Sequence, residues 1–121
     1  MIKGVNSILV WTEDLKNLAP FYRDTLGLKA TDVGDEFALF EIGGAQQLAL
    51  GVHSEVKGKS KEPNRVMINL DVDDIQAEYE RLKSKGVQFI RPPTREPADE
   101  RMIIATLQDP DGNTLQLFQT A

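Results

Sequence analysis

A chain of 121 residues and 13.5 kDa has the size of one domain, large enough for a hydrophobic core without staples. It has no cysteine and one histidine, His53, which excludes disulfides, thiolate metal sites, iron–sulfur clusters and any site needing two imidazoles from one chain. A net charge of −5 and a pI near 4.8 argue against a nucleic-acid partner, and the apolar runs are too short to span a bilayer. With no charged-then-apolar leader at Met1-Ile2-Lys3-Gly4, a cytoplasmic location is expected.

In chain order, residues 5–10 (VNSILV) read as a strand. Thr12-Glu13-Asp14 offers capping oxygens, and Leu15, Leu18, Tyr22 and Leu26 then fall on one helical face closed by Gly27. Pro20 interrupts that pattern, so the helix is expected to start late or bend there. Residues 37–42 and 47–52 read as strands around a Gly43-Gly44 turn. The polar stretch 53–65 (HSEVKGKSKEPNR) reads as a linker, its lysines solvated.

The pattern then returns. Residues 66–72 read as a strand, Asp73-Asp74 caps a helix with Ile75, Tyr79 and Leu82 on one face, and Gly86 closes it. Glu78 and Arg81 are spaced to pair across its exposed side. Residues 87–90 read as extended. The proline-rich stretch 92–101 (PPTREPADER) reads as a loop, and 91–102 as a mobile cover. Arg91, Arg95 and Arg101 border it; a guanidinium fork suits a carboxylate or phosphate, although the plainer role is solvation. Strands at 102–107 and 114–119 are joined by Asp109-Pro110-Asp111-Gly112-Asn113, whose residue types suit a tight turn.

Asp14 falls on Asp74, Leu15 on Ile75 and Gly27 near Gly86, an internal repeat offset by about sixty residues. The expectation is a single domain, 1–121, of class α+β. Two βαβββ modules, 1–53 and 66–121, joined by a linker at 54–65, would form an open, cupped mixed sheet with helices on its outer face. Alternation separates two sets of strand residues. Ile8, Val10, Leu48, Leu50, Ile68, Leu70, Leu115 and Leu117 form an aliphatic face that would meet the helices. Ser7, Trp11, Ala49, Met67, Asn69, Gln116 and Phe118 form a mixed face, and such mixed lining suits a small-molecule pocket.

Two motifs extend this reading. Glu13-Asp14-Leu15 precedes Phe21-Tyr22-Arg23-Asp24-Thr25-Leu26-Gly27-Leu28, and Asp109-Pro110-Asp111-Gly112-Asn113 precedes Leu115-Gln116-Leu117. In that order, with the repeat, they resemble the vicinal oxygen chelate superfamily: glyoxalase I, extradiol dioxygenases, fosfomycin resistance enzymes and bleomycin resistance proteins. The resemblance covers nearly the whole chain and implies paired βαβββ modules and a homodimer. Its metal-dependent members hold one divalent ion with His, Glu or Gln. The matching positions here are Ser7, Ala49, Met67 and Gln116, of which only Gln116 suits such an ion.

The resemblance therefore implies a metal-free protein, without cofactor, that binds a small organic molecule in its cup, as in the bleomycin resistance branch. The alternative is a lyase or dioxygenase using one divalent metal ion. The candidate ligand-binding residues are Trp11 and Phe118 for stacking, Asn69 and Gln116 for polar orientation, and Phe40 and Met102. No catalytic residue is assigned. His53 opens the polar linker and reads as solvated rather than ligating.

Overall fold

The computed structural model describes residues 1–44 and 46–120. The chain divides into two compact units, Met1–Gly58 and Lys59–Ala121, a boundary that falls inside the polar stretch 53–65.

The first unit begins with β1 (Ser7–Thr12), two residues later than the β-branched run suggested, and continues into α1 (Leu15–Pro20). Asp14 caps the helix, its carboxylate accepting from the Asn17 backbone N–H at 3.3 Å. The helix does not start late. Instead its winding changes at Pro20, where the missing N–H interrupts the α-helical ladder, and residues Phe21–Thr25 follow as a π-helical segment. There the Leu26 N–H donates to the Phe21 carbonyl at 2.8 Å. Gly27 then turns the chain out at φ +81°. β2 (Lys29–Val33), which the sequence pattern did not reveal, precedes β3 (Phe37–Glu41) and β4 (Gln47–Val52). The sheet order is β1-β4-β3-β2, with β1 and β4 parallel and the other neighbours antiparallel.

The second unit repeats this plan. Its elements are β5 (Ile68–Asp71), α2 (Ile75–Ser84), β6 (Phe89–Glu96), β7 (Asp99–Gln108) and β8 (Thr114–Thr120). The order is β5-β8-β7-β6, again with the first and last strands parallel. Asp74 caps α2, accepting from the Ala77 N–H at 3.1 Å, as Asp14 caps α1. Glu78 and Arg81 form the expected ion pair. The chain is thus an α+β fold of two four-stranded mixed sheets built by one repeated βαβββ plan.

The proline-rich stretch is not a loop. β6 and β7 form a hairpin turning at Pro97-Ala98, so the stretch 91–102 is strand and tight turn. Pro92 and Pro93 are tolerated because β6 is an edge strand and they sit in a register shift between Arg91 and Thr94.

Each sheet buries one face. In the first unit Leu48, Leu50, Ala38 and Phe40 are fully buried with Leu18 and Tyr22 of the helical segment. In the second, Leu107, Leu115 and Ala105 are buried with Leu82 of α2. Each large side chain so buried contributes roughly 1.5–3 kcal/mol of transfer free energy. Among the described residues, every buried side-chain nitrogen or oxygen has a hydrogen-bond partner.

Candidate functional site

The faces not buried against the helices hold the candidate residues, and the strand register arranges them in rows. In the first sheet, Trp11 pairs with Gly51 and Gly51 with Phe37. The next row is Leu9, Ala49 and Leu39, and the third is Ser7, Gln47, Glu41 and Lys29. Leu9, Trp11 and Phe37 are 50%, 43% and 44% exposed, although all three are large and apolar. Glu41 and Lys29 are 3.9 Å apart at the far end.

In the second sheet, Asn69 pairs with Gln116, Gln116 with Thr106, and Thr106 with Arg91. The adjacent row is Asp71, Phe118, Ile104 and Thr94. Gln116 donates from Nε2 to the Thr106 hydroxyl at 3.2 Å, so its amide is oriented. Met102 shares this face, opposite Thr120. Asn69, Met102, Gln116 and Phe118 thus come together on one sheet face, and Trp11 lies on the open face of the other sheet.

Phe40 does not belong with them. It pairs with Leu48 on the buried face, is fully inaccessible, and its ring centroid lies 6.5 Å from that of Tyr22. It is a core residue and leaves the candidate set. Met67 precedes β5 and is 38% exposed.

His53 is not simply solvated. Its ring stands edge-on to Trp11, centroids 5.1 Å apart at 70°, and its Nδ1 accepts from the Glu55 N–H at 3.0 Å. Three arginines were candidates for an anion. Arg95 donates to the Glu100 carbonyl, and Arg101 pairs with Asp99 at 3.1 Å, holding that carboxyl below its ordinary range by hydrogen bonding. Only Arg91 is placed by register on the open face.

The four positions that the resemblance links to a divalent ion offer a poor donor set. Ser7 and Ala49 lie in different rows of the first sheet, Met67 offers a thioether, and of the four only Gln116, whose Nε2 donates to Thr106, offers a carbonyl oxygen suited to such an ion. Among the described residues, no three His, Cys, Asp or Glu side chains are grouped to hold a metal. The residues present do not fit the ion that the resemblance implies. An open groove of about 480 Å³ beside the start of α2 is lined by Asp71, Asp73, Asp74, Glu78 and Arg81 among others. There Asp74 serves as cap and Glu78 pairs with Arg81.

A family model described as the Glyoxalase/Bleomycin resistance protein/Dioxygenase superfamily matches residues 4–117. The chain belongs to this superfamily. It is 30% identical over 119 residues to the metallothiol transferase FosB of Staphylococcus epidermidis, covering 97% of this chain and 84% of that protein. It is 28% identical to the protein YetH of Bacillus subtilis, over 97% and 98% of the two chains. A superfamily member from Sphaerobacter thermophilus superposes with a TM-score of 0.75 at 26% identity, over 98% of each chain. A lactoylglutathione lyase from Agrobacterium tumefaciens shares the superfamily fold at 18% identity, with a TM-score of 0.75.

Register, which no single strand reveals, added Phe37 to the open face of the first sheet and placed Thr106 and Arg91 in one row with Gln116 in the second. Gly51, lone in an apolar strand, was the available sign of a close approach.

Proposed function

We propose that this protein is a superfamily member that works without a resident metal and binds a small organic molecule on an open sheet face, acting by sequestration. The observation that carries this reading is the lining itself. In the first sheet Trp11 offers exposed ring surface, in the second Phe118 offers a half-buried ring beside the amides of Asn69 and Gln116, and Ser7, Ala49 and Met67 stand where the resemblance puts metal ligands. Apolar area with a few oriented polar groups is the usual chemistry of small-molecule sites. The chain works as a homodimer in the cytoplasm on this reading. Among the described residues no helix is long and apolar enough to cross a membrane.

The second reading is a divalent-metal enzyme, favoured by the 30% identity to a protein named as a metallothiol transferase and by Gln116 at one ligand position. Native mass spectrometry of protein from cells supplied with Ni²⁺, Zn²⁺, Fe²⁺ and Mn²⁺ separates the two. A dimer without metal, or with an organic adduct, is expected. One metal per chain, lost in Gln116→Ala, would overturn the first reading and establish the second.

A further inference from the structure

In the first sheet, two exposed aromatic rings are laid down over glycines. The six-membered ring of Trp11 covers Gly51: a Cβ built there would lie 2.7 Å from Cζ3 and 3.0 Å from Cε3. The Phe37 ring covers Gly34, whose Cβ would lie 2.7 Å from Cε1. Trp11, Gly51 and Phe37 form one row across three strands, spaced about 4.8 Å per strand. The indole therefore lies along the sheet, and the Phe37 ring lies over the β2–β3 turn, rather than standing out from it. His53 meets the indole edge-on and is itself fixed by three hydrogen bonds, through its N–H to the Thr12 carbonyl, from the Val56 N–H to its carbonyl, and from the Glu55 N–H to Nδ1.

Upright side chains would offer a knobbed surface suited to interdigitate with another protein. Rings seated on glycines make a low floor, and what covers a floor best is another flat π-system. Charge narrows the occupant. Asp35 and Glu36 precede Phe37, and Asp32 pairs with Leu39 in the next row. The basic residue placed on this face, Lys29, is at the opposite end beside Glu41. A tryptophan face and acidic borders both attract a cation.

We infer that Trp11 and Phe37 form a preformed floor for a planar aromatic cation, and that Gly51 is the residue that keeps the floor open. This rests on the small-molecule reading above and names the ligand class for its first sheet. Gly51 does not adopt a positive φ, so alanine fits its backbone and the added methyl meets the indole first.

The chain has one tryptophan, so the indole N–H gives a single resonance in a proton–nitrogen correlation spectrum. The probe is N-methylquinolinium, with the saturated, non-planar cation N,N-dimethyldecahydroquinolinium as its control. N-methylquinolinium is expected to move the indole signal and bind at least tenfold tighter than the saturated cation. Gly51→Ala should weaken it at least tenfold while the backbone signals of β1 and β4 keep their dispersion. Trp11→Leu should abolish the preference for the planar ring, and Trp11→Phe should keep it. Equal binding of the two cations, or an unaltered affinity in Gly51→Ala, overturns the proposal. So does a concentration-dependent dimer that shields the indole and excludes the probe, which would make this face a contact between copies. Organic ligands that move signals of Gln116 and Phe118 but not the indole overturn the floor and leave the small-molecule reading standing. A stoichiometric metal with no response to any organic probe overturns both.

Discussion

Removing the carboxylate of Asp109 strands three donors at once. Its Oδ1 accepts from the Asp111 and Asn113 backbone N–H groups, and its Oδ2 from the Asn113 amide, each at 2.9 Å. The residue is 95% buried, so water replaces these bonds poorly. Asp109→Ala is expected to cost about 2–3 kcal/mol and Asp109→Asn about half of that, both measured by urea denaturation. The sequence marked this turn by residue type, as it marked the capping pair Asp14 and Asp74. It could not place Phe40. Both faces of β3 carry one phenylalanine, Phe37 and Phe40, so alternation within that strand assigns neither. The register with Leu48 decides it. The seat of Trp11 was hidden for a similar reason, since a glycine shows that something comes close but not what.

At the level of the element, proline content misled where strand position decided. Pro92 and Pro93 read as loop residues because a proline withholds its N–H from a ladder. In an outermost strand that donor has no neighbour to serve, and a bulge absorbs the rest. The same two residues keep β6 from accepting a further strand. Replacing both with valine should lengthen the regular ladder and make the edge adhesive. Concentration-dependent light scattering should rise, and an unchanged monodisperse profile would show that the bulge plays no such part. α1 gives the opposite case. Its caps and apolar spacing were legible, but the response to Pro20 was not. A backbone lacking one donor can end, kink or rewind, and the packing of Tyr22 against Phe40 accompanies the third outcome. β2 was missed because Lys29–Val33 is mostly exposed and carries no apolar stripe.

For the whole molecule, the repeat was the most informative feature of the sequence. An offset of about sixty residues anticipated two βαβββ modules, because each half carries the same cap, helix closure and strand sequence; that each module forms its own four-stranded sheet in the same strand order came from the structure. Each unit also holds its own side of the connection. The Gly58 N–H donates to Glu13 at 2.9 Å, while the Ser60 N–H donates to the Asp111 carbonyl at 2.8 Å and the Thr114 hydroxyl to Asn64 at 2.9 Å. Inserting Gly-Ser-Gly-Ser between Gly58 and Lys59 should therefore cost less than about 1 kcal/mol. Thermal unfolding checks this: a fall in Tm of a few degrees is expected, and a large one would make the connection a strut.

The parallel pairing of first and last strands has a consequence for how the protein is made. Among the described residues, β5 is bonded to β8 alone, and β1 to β4 alone. During synthesis each opening strand leaves the ribosome with no partner and waits until its own unit has been translated to the end. β7 and β6 can zip as a hairpin in the meantime, leaving β5 the last strand to be seated. A nascent chain halted before β8 is thus a half-built unit with an open β5, an unpaired edge that can pair with other chains.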